Sequence, residues 1–101
     1  MLSVSKRLVT KDDTSNNSTL PLNKLREWIT RSIKNYYIMT GKSNKNKTHA
    51  LDFIEIISPI FIDDVLTFKC ESAKVKNGMN IEVNVIKDNL LLVKAKYIRT
   101  I

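Results

Sequence analysis

The sequence predicts an α+β chain in which a long central helix is wrapped by a curved, five-stranded antiparallel sheet. Two changes of period predict it. Across residues 22–38 apolar side chains recur every three or four positions, the spacing of a helix with one buried face. From residue 50 onward the spacing falls to two, in four segments parted by turn residues. A third observation, one strand-like segment ahead of the helix, supplies the fifth strand. One helix covers only one face of such a sheet, so the sheet must curve around it, and its edges call for a partner to pair or cover them.

The first element is a short strand over 4–9, followed by a stretch over 11–20 dense in Asp, Thr, Ser and Asn, whose side chains bond their own backbone in turns. Pro21 is placed in the first helical turn, where its missing N–H costs nothing. The helix then sets Leu22, Leu25, Ile29, Ile33 and Tyr36 or Tyr37, with Trp28 beside them, against Lys24, Arg26, Glu27, Arg31 and Lys34. A cationic loop over 41–48 follows, read as a solvated connection.

The strands of the meander are expected over 50–57, 65–72, 79–86 and 90–99, with a Pro-containing turn over 58–64. Leu66, Phe68 and Cys70 alternate against Thr67, Lys69 and Glu71; Met79, Ile81, Val83 and Val85 alternate against Asn80, Glu82 and Asn84. In the last strand Leu91, Val93, Ala95 and Tyr97 are placed inward, against Leu92, Lys94 and Lys96. The connections KVKNG and KDN carry the residues of tight hairpins.

At 101 residues the chain is a single domain, 1–101, small enough that a lone core leaves it marginal and an oligomer is expected. The longest apolar run, 54–62, is broken by Glu55, Ser58 and Pro59, so no membrane association is expected. One cysteine, Cys70, excludes an internal disulfide and reads as a core thiol. The acid-free MLSVSKRL, with Lys6 and Arg7, faintly matches a mitochondrial presequence but merges into the first strand; a cytoplasmic protein is expected, with the mitochondrial matrix as alternative. His49 has no second ligand at metal spacing, and neither a metal nor a cofactor is expected.

The net charge of +7 admits nucleic acid, an acidic partner or a phosphate-bearing ligand. Of the 17 basic residues only four are Arg, whereas gripping phosphates by bidentate forks favours Arg. Tyr36 and Tyr37 lie on the helix and not on a sheet surface as base-stacking platforms would, so a nucleic-acid module is disfavoured.

A strand, a turn-rich loop, a long helix and a four-stranded meander make up the layout of the hotdog fold, and DTSNNSTLPLNKLREWIT resembles the acyl-CoA thioesterase branch of it. That branch shows a pattern close to DTNxxGxLFGGxLLxWxD, matched at Asp13, Thr14, Asn17, Thr19, Leu20, Leu25 and Trp28. SPIFIDDVLTFKC is similar to its KPxxxGDxV turn, with Pro59, Asp64 and Val65 in register. The resemblance implies a helix N-terminus that polarises the thioester carbonyl, an acidic helix residue that activates water or attacks, and paired glycines that let acyl-CoA approach the backbone.

This chain departs from the pattern at those exacting positions. Leu22 and Asn23 replace the glycine pair, Ser18 an earlier glycine, Pro21 a phenylalanine, and Thr30 the carboxylate. Glu27 precedes Thr30 by three residues and so lies about 60° away around the helix. The family positions that remain as catalytic candidates are Thr30, Thr19 and Asn17, with Asp12, Asp13 and Asp52 as carboxylates a second subunit could supply. Lys74, Lys76, Asn77 and Gly78 occupy the hairpin that the resemblance places near the CoA phosphates. The resemblance implies a divergent thioesterase that hydrolyses or binds acyl-CoA with weak or lost activity, as a dimer or multiple of dimers. The alternative is a non-catalytic hotdog subunit, paired with its own copy or another hotdog chain, in a larger assembly.

Overall fold

The computed structural model describes residues 2–14, 18–40, 50–75 and 78–100. Strand β1 (Leu2–Leu8) leads through a single 3₁₀ turn (Lys11–Asp13) to helix α1 (Leu22–Thr40). Strands β2 (Ala50–Ile56), β3 (Val65–Val75), β4 (Gly78–Lys87) and β5 (Leu90–Thr100) follow. They form one antiparallel sheet in the order β1-β3-β4-β5-β2, which leaves β1 and β2 as its edges.

The helix and sheet meet as the two periods require. Leu25, Trp28, Ile29, Ile33, Tyr36 and Tyr37 form the buried stripe of α1, against Leu66, Phe68, Cys70, Ile81, Val83 and Val85 of β3 and β4. Trp28 and Phe68 meet edge to face at 6.5 Å, and the Tyr36 hydroxyl is hydrogen-bonded to Ser72 across the helix–sheet seam. Cys70 is buried among these apolar neighbours, which pushes its thiol up to about 12, with the Glu71 charge adding to the effect.

Several expectations are corrected. Pro21 sits one position earlier than expected: its carbonyl accepts the Leu25 amide at 3.1 Å and it precedes the first helical residue. Leu22 leaves the buried stripe and is 45% exposed. In β5 the inward phase slips: Leu91 is 37% exposed whereas Leu92 and Val93 are both buried. The cause is a bulge in β5 itself: Val85 pairs with Val93 but Ile86 with Leu91, so Leu92 is an extra residue with no partner in β4, and its carbonyl accepts the Ile57 and Ser58 amides at 2.8 and 3.2 Å. Strands β3 and β4 also run further than expected, since pairing continues to Val75↔Gly78 at the hairpin. The β4–β5 turn places Asp88 and Asn89 both at positive φ, 49° and 66°, the backbone of a two-residue type I′ hairpin.

The loop over 41–48 and His49 lie outside the described residues. Among the described residues no helix is long and apolar enough to cross a membrane, and no group of three or more His, Cys, Asp or Glu side chains could hold a metal ion.

Candidate functional site

The entrance to α1 is built by pairing two irregular segments. The Ile62 amide donates to the Ser18 carbonyl at 2.9 Å, Thr19 bridges Phe61, and the Leu20 amide donates to the Ile60 carbonyl at 2.8 Å. The chain ahead of the helix is thus strapped to the turn between β2 and β3. Ser18 achieves this with φ at 61°, a left-handed conformation that a glycine adopts freely and that Cβ sterics make costly.

Asp64 fixes the other side of the turn. Its buried carboxylate accepts the Phe61 amide at 2.9 Å and the Lys87 ammonium at 2.6 Å, while the Val9 amide donates to its carbonyl at 2.9 Å. The hydrogen bond with Asp64 raises Lys87 above the ordinary lysine range. Lys87 was not singled out in the sequence. The available signal is topological: in a meander the start of β3 meets the end of β4, so a buried acid before β3 finds a cation after Ile86.

Between this turn and the first turn of α1 lies a cleft of about 200 Å³, lined by Thr19, Leu20, Leu22, Leu25 and the 56–60 segment, Ile56, Ser58, Pro59 and Ile60. Its described lining carries no ionisable side chain, and α1 has no acidic residue in its first turn. Ile56 and Ile60, which sequence reasoning left in a generic strand and turn, form one wall. Leu22 stands at the mouth, where the family pattern has glycine.

The structure separates the residues singled out by sequence. Thr19 lines the cleft. Thr30 does not: its hydroxyl donates to the Arg26 carbonyl at 2.9 Å. Burial raises the Tyr97 phenol, Tyr37 adds to this, and a hydrogen bond with Thr30 works the other way. Glu27 points elsewhere, into an exposed pair with Arg31 at 3.3 Å.

Of the acid candidates, Asp13 closes a capping box with Thr10, accepting its amide at 2.9 Å and its hydroxyl at 2.8 Å; those bonds hold its carboxyl below the usual range, with Arg7 adding a smaller effect. Asp12 sits in the same exposed 3₁₀ turn. Asp52 lies in β2, at the register shift between Leu51 and Phe53. The backbones of Lys74 and Gly78 flank the β3–β4 hairpin, and Lys74 pairs with Met79. Asn17, Lys76 and Asn77 lie outside the described residues.

No protein-family model matches the sequence, and no characterised protein matches it by sequence comparison. Solved structures do match in shape. A 1,4-dihydroxy-2-naphthoyl-CoA thioesterase from Synechocystis superposes with a TM-score of 0.80 at 14% identity, over 99% of this chain and 81% of its own. A hypothetical thioesterase from Streptococcus pneumoniae, solved with coenzyme A, gives 0.81 at 16% identity, over 98% and 79%. A 4-hydroxybenzoyl-CoA thioesterase in complex with 4-hydroxybenzoyl-CoA gives 0.76 at 14% identity, over 98% and 82%. The element order, the sheet order and these superpositions agree that the chain has the hotdog fold of acyl-CoA thioesterases.

Proposed function

We propose that this chain is a divergent thioesterase-like hotdog protein that binds acyl-CoA thioesters and hydrolyses them slowly or not at all. The observation that carries this reading is the cleft at the start of α1: its apolar lining suits an acyl group, yet no described lining residue is a carboxylate. Thr30, at the family's acid position, is bound to Arg26 and turned from that lining. A threonine hydroxyl cannot act as a general base near neutral pH, and the loss of one forfeits ~10²- to 10⁴-fold in rate. Leu22 at the mouth further obstructs the approach of a carbonyl to the helix amides, a contribution worth ~10²- to 10³-fold.

The assembly belongs to the same proposal. Strand β2 is an unpaired edge with Phe53 and Ile56 exposed, and pairing with a second copy would close the sheet and cover the cleft's outer wall. Lys74, Lys76, Asn77 and Gly78 are the proposed contacts of the CoA phosphates.

The test is thiol release from short and long acyl-CoAs by wild-type protein and by Thr30→Asp. Turnover below about 1 s⁻¹ is expected for both, because the variant restores an acid but not the glycines; faster wild-type turnover overturns the reading. The second reading, a non-catalytic hotdog subunit, draws on the same filled positions, Ser18, Leu22 and Thr30. Calorimetric titration separates the two: salt-sensitive heat with CoA that weakens when Lys74 and Lys76 are replaced supports binding, and no heat at millimolar CoA leaves the structural subunit.

A further inference from the structure

Away from the cleft, the flank of α1 and the free edge of β1 enclose a second cavity of about 120 Å³. Trp28 and Phe68 form its floor, and Lys6, Arg7, Arg31 and Asn35 stand around it. Its place and charge do not suit an acyl group: it borders the middle of the helix, not its first turn, and its lining includes the guanidinium residues Arg7 and Arg31. A water needs some 10–15 Å³ of such volume, so the space holds several waters or one tetrahedral oxyanion with part of its shell.

Arg7 is held ready within it. Its guanidinium carbon lies over the Trp28 ring, 4.0 Å from the centroid, a cation–π contact that holds the group against the indole. No described residue accepts a hydrogen bond from that fork. Among the described residues Arg31, one helical turn beyond Glu27, is tied only to that residue, in a solvent-exposed pair at 3.3 Å that contributes little and exchanges readily. The Val9 amide and carbonyl are both engaged with residues 63 and 64, so the alternation of an antiparallel ladder turns the backbone of Lys6 toward the free edge beside the cavity.

We propose that this groove binds a phosphate group, free or as a monoester, with Arg7 as the bidentate anchor, Arg31 completing the charge and the free-edge backbone of Lys6 beside them. Dianionic oxygens match a planar fork backed by a second guanidinium, and the stack on Trp28 fixes Arg7 before the ligand arrives. An aromatic base has no place to stack, because Arg7 already covers the indole. The proposal does not rest on thioester binding, since none of these residues lines the cleft.

Trp28 is the chain's single tryptophan, so its fluorescence reports this groove alone. Inorganic phosphate and a mononucleotide are titrated separately into the full-length chain at fixed ionic strength, with chloride as the reference. A saturable change in emission with a dissociation constant on the order of 1 mM is expected, as two or three charge-assisted contacts at an open site imply. Saturation by phosphate supports a free anion; saturation by the nucleotide alone supports an ester.

Arg31→Gln should weaken binding about tenfold, Arg7→Gln at least as much by calorimetry, and Glu27→Gln should tighten it by removing the competitor for Arg31. Lys94→Gln, on the outer face of the sheet, should change nothing. Equal responses to phosphate and chloride, equal losses in Lys94→Gln and Arg31→Gln, or a response to polyglutamate and not to phosphate would each overturn the assignment. Because Arg31→Gln touches an exposed side chain, it keeps the test decisive if Arg7→Gln fails to fold.

Discussion

The two cavities beside α1 differ in what built them. The cleft at its first turn is apolar and is framed by irregular backbone: the Ser18 to Leu20 segment, the 58–64 turn and the Asp64–Lys87 ion pair. The groove on its flank is cationic and is framed by regular elements, one helix face and one strand edge. A cleft made by loops keeps its shape after its reactive residues change, because hydrogen bonds between backbone groups do not depend on side-chain identity. A groove made by a helix and a strand keeps its shape only while the periodic packing beneath it survives, so its chemistry resides in a few side chains set on a rigid base.

The largest effect should come from the foundation both regions share. Ile29 is fully buried at the centre of the helix stripe, and Ile29→Asp would place an unpaired charge there, at a cost above ~4 kcal/mol out of the ~5–15 kcal/mol that holds a domain together. Loss of cooperative melting by circular dichroism is expected; a soluble variant that still melts cooperatively would contradict the packing described.

A cleft-specific change sharpens the contrast. Asp64→Ala leaves the Phe61 amide and the Lys87 ammonium without their acceptor and should cost ~1–3 kcal/mol, read as a lowered midpoint in urea. The Trp28 emission of the folded variant should match wild type, because the flank meets this turn only through the Val9 backbone bonds, which the substitution leaves in place. A shifted emission would show that the two regions are coupled.

A smaller effect, of opposite sign, is expected at Ser18. Relieving a positive φ by Ser18→Gly should raise stability by up to ~1 kcal/mol, less the entropy glycine brings to the unfolded chain. On the flank, Glu27→Gln should change the melting midpoint by an amount within error, since exposed i,i+4 pairs contribute only ~0.3–0.5 kcal/mol. The smallest effect is a null: with its thiol pushed up to about 12 and buried, Cys70 should resist alkylation at pH 8 until the chain unfolds, whereas prompt native-state labelling would show that the core opens locally.

The fold was legible wherever a period persisted. The helix stripe from Leu25 to Tyr37 and the alternation of Leu66, Phe68, Cys70, Ile81, Val83 and Val85 follow from spacing alone. The phase of β5 was not, because the bulge at Leu92 falls within the unbroken apolar run from Leu90 to Val93, where no polar residue marks which phase faces inward. The cleft was only half legible. The resemblance led to Thr19 and to the altered positions Ser18, Leu22 and Thr30, but the wall from Ile56 to Ile60 exists through backbone pairing across some forty residues, and spacing along the chain carries no record of it. Neither was the partner of Asp64, nor the stack of Arg7 on Trp28, both of which join elements distant in sequence.

The order of the strands in the sheet also sets the order in which the chain can assemble. Strands β3, β4 and β5 meet through tight turns, Val75 beside Gly78 and Lys87 beside Leu90, so their contacts close short loops and form early. Strand β1 docks against β3 with Leu2 opposite Glu71, which closes a loop containing the whole helix and β2. The edge that docks last is also held on one side only, so its amides should exchange with solvent before those of β4, which is bonded on both sides. Strand β1 should then be late to order, and Arg7 should reach its place over Trp28 only once β3 is there to receive the strand.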